Sequence, residues 1–253
     1  MSENFSYRSY VADEKFLSEY NSYQRRYAQT MRESDKVLVA MVKEIARQTD
    51  GEPLDLLDIG CSTGNLLLHI RSMVPGLNLT GGDLALSSIE ECRRNPGLAG
   101  IKFEVMDLLA LPAACFDVVI VNAVLYMLDD EQYRSALASL GKCVRPGGTC
   151  LIYDFAHPFV HQQLTIYETS VLHPDGLRLC FRPMVKVEEA AHRAGFAAVE
   201  FHPFDIPIDL PPAPYDGEVV TYTVDRKDGK RAMFRGALYQ PWCHIIARRS
   251  KAE

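Results

Sequence analysis

Apolar residues change their period several times along this chain, and each change predicts an element. Phe16, Tyr20, Tyr23 and Tyr27 recur at three- or four-residue intervals through the polar stretch 14–31, the spacing of one helix face. Val37, Leu38, Met41, Val42 and Ile45 form a second stripe, with Ser34 placed to cap it and Asp50-Gly51 to end it. Four β-like runs follow at 54–59, 77–82, 101–105 and 116–121, with helical spacing at 64–73, 86–94 and 130–143. Leu56-Leu57, the run 118–121 and the run 149–153 are almost continuously apolar, as a parallel strand covered on both faces requires. This alternation predicts a doubly wound α/β fold around a mostly parallel, seven-stranded sheet.

Beyond Tyr153 the pattern loosens over 156–182, where His157-Pro158 and His173-Pro174-Asp175-Gly176 suggest an insertion over the sheet edge. A helix is expected at 185–194, ending at Gly195, and a strand at 197–204. The segment 207–214 is proline-rich, 219–224 and 231–234 suggest a hairpin, and 239–248 supplies a last strand. With no internal repeat, the organisation is an N-terminal helical cap, 1–50, followed by one domain, 51–253, with insertions at about 156–182 and 205–236.

Composition narrows the partners. A formal charge of −6 argues against a broad phosphate-binding surface, so nucleic acid is not expected. The seven cysteines are scattered and include no C-x-x-C pair, which suggests reduced thiols in a cytoplasmic protein. Neither a signal peptide nor a run of about 18 apolar residues is visible, so no membrane association is expected.

The run 54–59 leads into Gly60-Cys61-Ser62-Thr63-Gly64-Asn65, a small-residue turn that opens a helix. Small residues let a ligand approach the backbone, and a helix start offers free N–H groups. A dinucleotide fingerprint would place glycine where Ser62 and Asn65 stand, so the NAD pattern fails.

The stretch Asp58-Ile59-Gly60-Cys61-Ser62-Thr63-Gly64 resembles the first motif of class I, Rossmann-like S-adenosylmethionine-dependent methyltransferases, with Ser62 in place of the middle glycine. Gly81-Gly82-Asp83-Leu84 matches the family's second station, whose acidic residue accepts the ribose hydroxyls. Val105-Met106-Asp107-Leu108 matches the third, where an acidic side chain and an apolar neighbour take the adenine. Asn122-Ala123-Val124-Leu125-Tyr126-Met127 matches the loop that touches the methionine moiety and the acceptor, and Arg145-Pro146-Gly147-Gly148 matches a structural turn. The resemblance covers about 54–153. It implies a cofactor site of Asp58, Gly60, Cys61, Ser62, Gly64, Asp83, Leu84, Met106, Asp107 and Asn122. An N-terminal helix that closes over the cofactor would add Tyr27, or Arg26 or Arg32.

On the acceptor side, Tyr126, Asp154, His157 and His161 lie at or beyond strand ends, where ligands collect in open α/β sheets. His157, with an ordinary pKa near 6.5, is the candidate base, and Tyr126 the second catalytic candidate. Tyr239 and His244 lie on the last strand with the single tryptophan. Asp129-Asp130 is expected to start a helix and not to bind metal, so no metal is predicted. The resemblance thus implies methyl transfer from S-adenosylmethionine to an N, O or C atom of a small molecule. The alternatives are a non-catalytic cofactor-binding protein of the same fold and a Rossmann oxidoreductase, the latter disfavoured by the missing glycines.

Overall fold

In the computed structural model, which describes residues 8, 11, 14–49, 52–160, 163–168, 177–208, 221–225, 231–235 and 240–251, the aromatic N-terminal face forms α1 (Glu14–Gln24), extended by a 3-10 turn at Arg25–Tyr27. His161 and Tyr239 lie outside the described residues. The second stripe forms α2 (Glu33–Arg47), which starts earlier than its expected cap: Arg32 holds the N-cap position and Ser34 is buried inside the first turn. Glu33 and Asp35 place negative charge where the helix dipole favours it, which supports a start without a capping side chain.

The alternating segment folds as β1 (Leu54–Ile59), α3 (Asn65–Met73), β2 (Leu77–Asp83), α4 (Leu86–Arg94), β3 (Lys102–Val105), β4 (Phe116–Asn122), α5 (Asp130–Cys143) and β5 (Val144–His157). Next come β6 (Leu164–Glu168), β7 (Leu177–Pro183), α6 (Met184–Arg193), β8 (Phe196–Pro203), β9 (Thr221–Asp225), β10 (Arg231–Arg235) and β11 (Trp242–Arg249). The main path of the sheet runs β3-β2-β1-β4-β5-β11-β8. Strands β1 to β5 pair in parallel, and β11 runs antiparallel between β5 and β8. Seven strands therefore make the path, and the order reverses between β1 and β4, the position at which open sheets of this kind form a crevice.

Period-2 side-chain direction divides the core into two layers. Leu57, Val119, Val121 and Ile152 face α5 and α6, while Leu56, Val118, Ile120 and Leu151 face α2 and α3. Asp129 caps α5: its carboxylate accepts from the N–H groups of Glu131 and Gln132, and Gln132 Oε1 accepts from the Asp129 N–H. At the other end of α5, a Cβ on Gly141 would stand 1.9 Å from the Ala194 carbonyl oxygen, so α5 and the end of α6 meet almost backbone to backbone.

The expected irregular insertion at 156–182 is ordered differently. β7 pairs in parallel with the end of β5 at Ala156 and His157, and antiparallel with β6 along its length. Every residue of β7 is buried, arginines included, so its charged positions do not mark a solvent face. The later hairpin is present as β9 with β10. All seven cysteines are free thiols; six are buried and Cys115 is half-buried. No helix among the described residues is long and apolar enough to cross a membrane.

Candidate functional site

The turn after β1 is built from left-handed residues. Gly60, Ser62 and Gly64 have φ of 82°, 48° and 74°. Ser62 takes this conformation with a side chain attached, at a cost of roughly 1–2 kcal/mol that glycine avoids. Hydrogen bonds hold it there: the Gly60 and Cys61 N–H groups donate to the Gly82 carbonyl, and the Ser62 N–H donates to Asp83 Oδ2 at 2.9 Å. A Cβ on Gly60 would come within 2.5 Å of Val124, so glycine keeps a gap open between this turn and the loop after β4.

That gap belongs to a cleft over the carboxyl ends of β1, β2 and β4, the place where ligands collect in open sheets of this kind. Gly60, Ser62 and Asp83 line one side, Leu84, Met106 and Leu108 an apolar wall, and Asn122, Val124, Tyr126 and Met127 the far side. Leu17 and Tyr20 of α1 close over it, and Asn21 Oδ1 accepts from the Ser62 hydroxyl at 3.4 Å. The second oxygen of Asp83 accepts from the Ala85 N–H at 2.9 Å, so backbone donors fix the carboxylate while it still borders the cleft.

Beneath the turn the charge is one-sided. Asp58 is 2% exposed and its Oδ1 has no hydrogen-bond partner; burial, with Asp35 and Asp83 nearby, pushes its pKa up to about 8. Burial also raises Asp83, against the opposing N–H groups of Ala85 and Ser62, and raises Asp35, whose carboxylate accepts from Asn122 Nδ2 at 2.9 Å. Burial among other carboxyls thus keeps Asp58 protonated at neutral pH, and a cation bound beside it would favour the ionised form.

The residues expected from sequence separate into groups. Gly60, Ser62, Asp83, Leu84, Met106, Asn122 and Tyr126 line the cleft. Asp58 and Cys61 lie buried behind it, and Gly64 packs against Leu98 and Phe103 beneath the start of α3. Asp107 sits beside the cleft, where it accepts from the Leu109 N–H and pairs with Arg8 at 2.6 Å. Tyr27 is not among the lining residues: its hydroxyl meets that of Tyr23 at 2.9 Å, and Arg32 lies 4.0 Å above its ring.

His157 is also placed away from the lining. It is 5% exposed, its Nδ1 accepts from the Phe159 N–H at 3.2 Å, and its bond to the Phe181 backbone ties it to β7. His244 packs against Tyr153 and bonds the Ser34 carbonyl at 3.1 Å. The site residues expected from the sequence do not include Leu17, Tyr20, Ser88 or Leu108, which also line the cleft. The aromatic period of α1 is the available signal for Tyr20; nothing local marks Ser88.

Residues 56–148 match the family described as Methyltransferase domain. A ubiquinone/menaquinone biosynthesis C-methyltransferase of Desulfotalea psychrophila is 27% identical over 172 residues, 66% of this chain and 67% of that protein. A malonyl-[acyl-carrier protein] O-methyltransferase of Hahella chejuensis is 30% identical over 119 residues, 44% of this chain and 42% of that one. The chain thus spans about two thirds of the first relative's length and less than half of the second's. Among solved structures, Burkholderia thailandensis 1,6-didemethyltoxoflavin-N1-methyltransferase with bound 1,6-didemethyltoxoflavin and S-adenosylhomocysteine aligns over 96% of this chain and 89% of its own, at TM-score 0.56 and 17% identity. At that identity the alignment speaks for the fold.

Proposed function

We propose that the chain, which belongs to the class I S-adenosylmethionine-dependent methyltransferases, transfers a methyl group to an N, O or C atom of a small-molecule acceptor. The observation that carries this reading is Asp83, held by two backbone N–H groups at the end of β2 while it borders the cleft beside an apolar wall. The site fits the donor on two further counts. Gly60 preserves a space that a Cβ would fill, and the unpartnered oxygen of Asp58 lies in a cluster of carboxyls whose ionised form a bound cation would favour.

In this reading Asp83 would hold the ribose hydroxyls, Leu84, Met106 and Leu108 would enclose the adenine, and the Gly60–Ser62 turn would receive the methionine end. When bound, S-adenosylmethionine supplies an electrophilic methyl group, so the protein's main tasks are alignment and exclusion of water. Helix α1 covers the cleft, and Tyr126 is the acceptor-side group that borders it. His157, engaged with Phe159 and β7, is assigned a structural role, with Tyr126 favoured for contact with the acceptor. No metal is required in this scheme: Asp129 is committed to capping α5, and Asp130 faces Arg182 at 3.3 Å.

Calorimetric titration should show S-adenosylhomocysteine binding with a micromolar Kd and no heat from NAD; the reverse result would overturn the assignment. Asp83→Ala should weaken S-adenosylhomocysteine by about 2 kcal/mol, roughly thirtyfold, because bound hydroxyls would lose a charged acceptor. Unchanged affinity in the folded variant would place the ribose elsewhere. Incubation with methyl-labelled S-adenosylmethionine and a metabolite extract, followed by mass detection, would identify the acceptor.

A further inference from the structure

Strand β7 borders no part of the donor side of the cleft, yet Arg178 and Arg182, 7% and 4% exposed, are both on it. Burying a guanidinium carries a large desolvation cost, and an apolar side chain of similar volume would pack there more cheaply. Both arginines instead reach one short segment, the 3-10 turn Leu125–Met127 and its exit into α5.

Arg178 Nε donates to the Met127 carbonyl at 2.9 Å and its Nη2 to Gln132 Oε1 at 2.8 Å, the same oxygen that closes the cap of α5. Arg182 Nη2 donates to the Leu128 carbonyl at 2.6 Å, and its guanidinium lies 4.1 Å above the Tyr133 ring. A carboxylate stands near each, Asp129 at 3.5 Å from Arg178 and Asp130 at 3.3 Å from Arg182, while the buried Nε of Arg182 has no hydrogen-bond partner among the described residues. On the β5 side, the Ala123 N–H just before the turn donates to the Tyr153 carbonyl at 2.8 Å, and the buried Asp154 carboxyl accepts from the Phe155 N–H at 2.6 Å. The turn is therefore held through its backbone by β5 and β7, while the side chains of Tyr126 and Met127 border the cleft.

Resting on the methyl-transfer reading above, we infer that Arg178 and Arg182 are positioning residues for the acceptor: β7 fixes the turn that presents Tyr126 and Met127 to it. The inserted hairpin β6–β7 is then the part of this chain that sets acceptor geometry independently of donor binding. Trp242, the single tryptophan, supplies a reporter, because its ring meets Tyr126 edge-on at 5.8 Å.

The test uses the full chain as Arg178→Met and Arg182→Met, with Arg178→Lys and Arg182→Lys as the milder pair should the first fail to fold. Amide hydrogen exchange at 125–128 should quicken at least tenfold, and Trp242 emission should shift to the red. S-adenosylhomocysteine affinity should stay within about threefold of the parent. Transfer of label from methyl-labelled S-adenosylmethionine into a dilute metabolite extract should fall at least tenfold and recover as the extract is concentrated, the signature of a higher acceptor KM. Exchange and emission equal to the parent's in the folded variants would overturn the inference. Faster exchange with unaltered transfer would overturn it too, as would loss of S-adenosylhomocysteine affinity in step with transfer. Failure of the unmodified chain to bind S-adenosylhomocysteine would instead reject the functional reading, and the exchange data would still report whether β7 holds the turn.

Discussion

Gly141→Ala is expected to destabilise the fold by about 3 kcal/mol or more, a drop of roughly 10 °C in Tm for a domain of this size. In most helix interiors the same change stabilises by up to about 1 kcal/mol, since alanine is the better helix former. Here the added Cβ would stand 1.9 Å from the Ala194 carbonyl oxygen and 2.9 Å from its carbon, so backbone must move. Gly76 is the useful contrast: its φ is 82° but nothing lies within 4 Å of where its Cβ would stand, so Gly76→Ala should cost only about 1 kcal/mol, from conformation alone. Thermal melts of the two variants decide the matter. Equal Tm for Gly141→Ala and the parent would show that α5 and α6 do not approach this closely.

Stability should also fall by about 3 kcal/mol between pH 6.5 and 8.5, opposite to the usual behaviour of ion-paired carboxylates. Asp58 and Asp154, 2% and 4% exposed, are pushed up to about 8 and about 7, chiefly by burial, with Asp35 and Asp83 adding to the effect at Asp58. Their unfolded pKa values lie near 3.9, so above that pH the folded chain holds protons the unfolded chain has released. Their contribution is complete below about pH 4 and is lost as pH rises through 7 and 8. Burial lowers His157 and His244, which works in the opposite sense below about pH 6.5 and offsets the carboxyls there. The interval above pH 6.5 therefore isolates the carboxyls, because the histidines contribute little there. Urea midpoints at pH 6.5, 7.5 and 8.5 measure it, and Asp58→Asn should remove most of the slope; a parent chain whose stability is flat or rises over that interval contradicts the assignment.

The half of the molecule that builds the cleft is legible in sequence because each of its signals is local. Strands β1 to β4 announce themselves by apolar runs, and α3, α4 and α5 begin close to where spacing places them. Asp83 can be found from its position at a strand end. The left-handed conformation of Ser62 also explains why glycine is the residue to expect there: the serine is tolerated because the Asp83 carboxylate holds its N–H.

Other features depend on tertiary partners that spacing does not encode. Leu177-Arg178-Leu179-Cys180-Phe181-Arg182 alternates like a strand with one face in water, yet both faces are buried, because the charged positions find carbonyls and carboxylates on α5 and the turn before it. Ser34 has the chemistry of a cap for α2, but the acids of the first turn carry the start of the helix past it. Tyr20 and Tyr27 share one helical period, but the helix ends at Gln24, so only the first of them reaches the cleft.

The disposition of the thiols has a practical consequence. Folding acts as a protecting group for six of the seven sulfurs, and burial further raises the pKa of Cys143, Cys150, Cys180 and Cys243, which suppresses the reactive thiolate. Cys115 alone is half-buried, immediately before β4 and at the opposite end of that strand from the cleft. The native chain therefore offers one addressable attachment point for a maleimide label without removal of any other cysteine. The stoichiometry of modification, one when folded and seven when unfolded, counts denatured molecules directly.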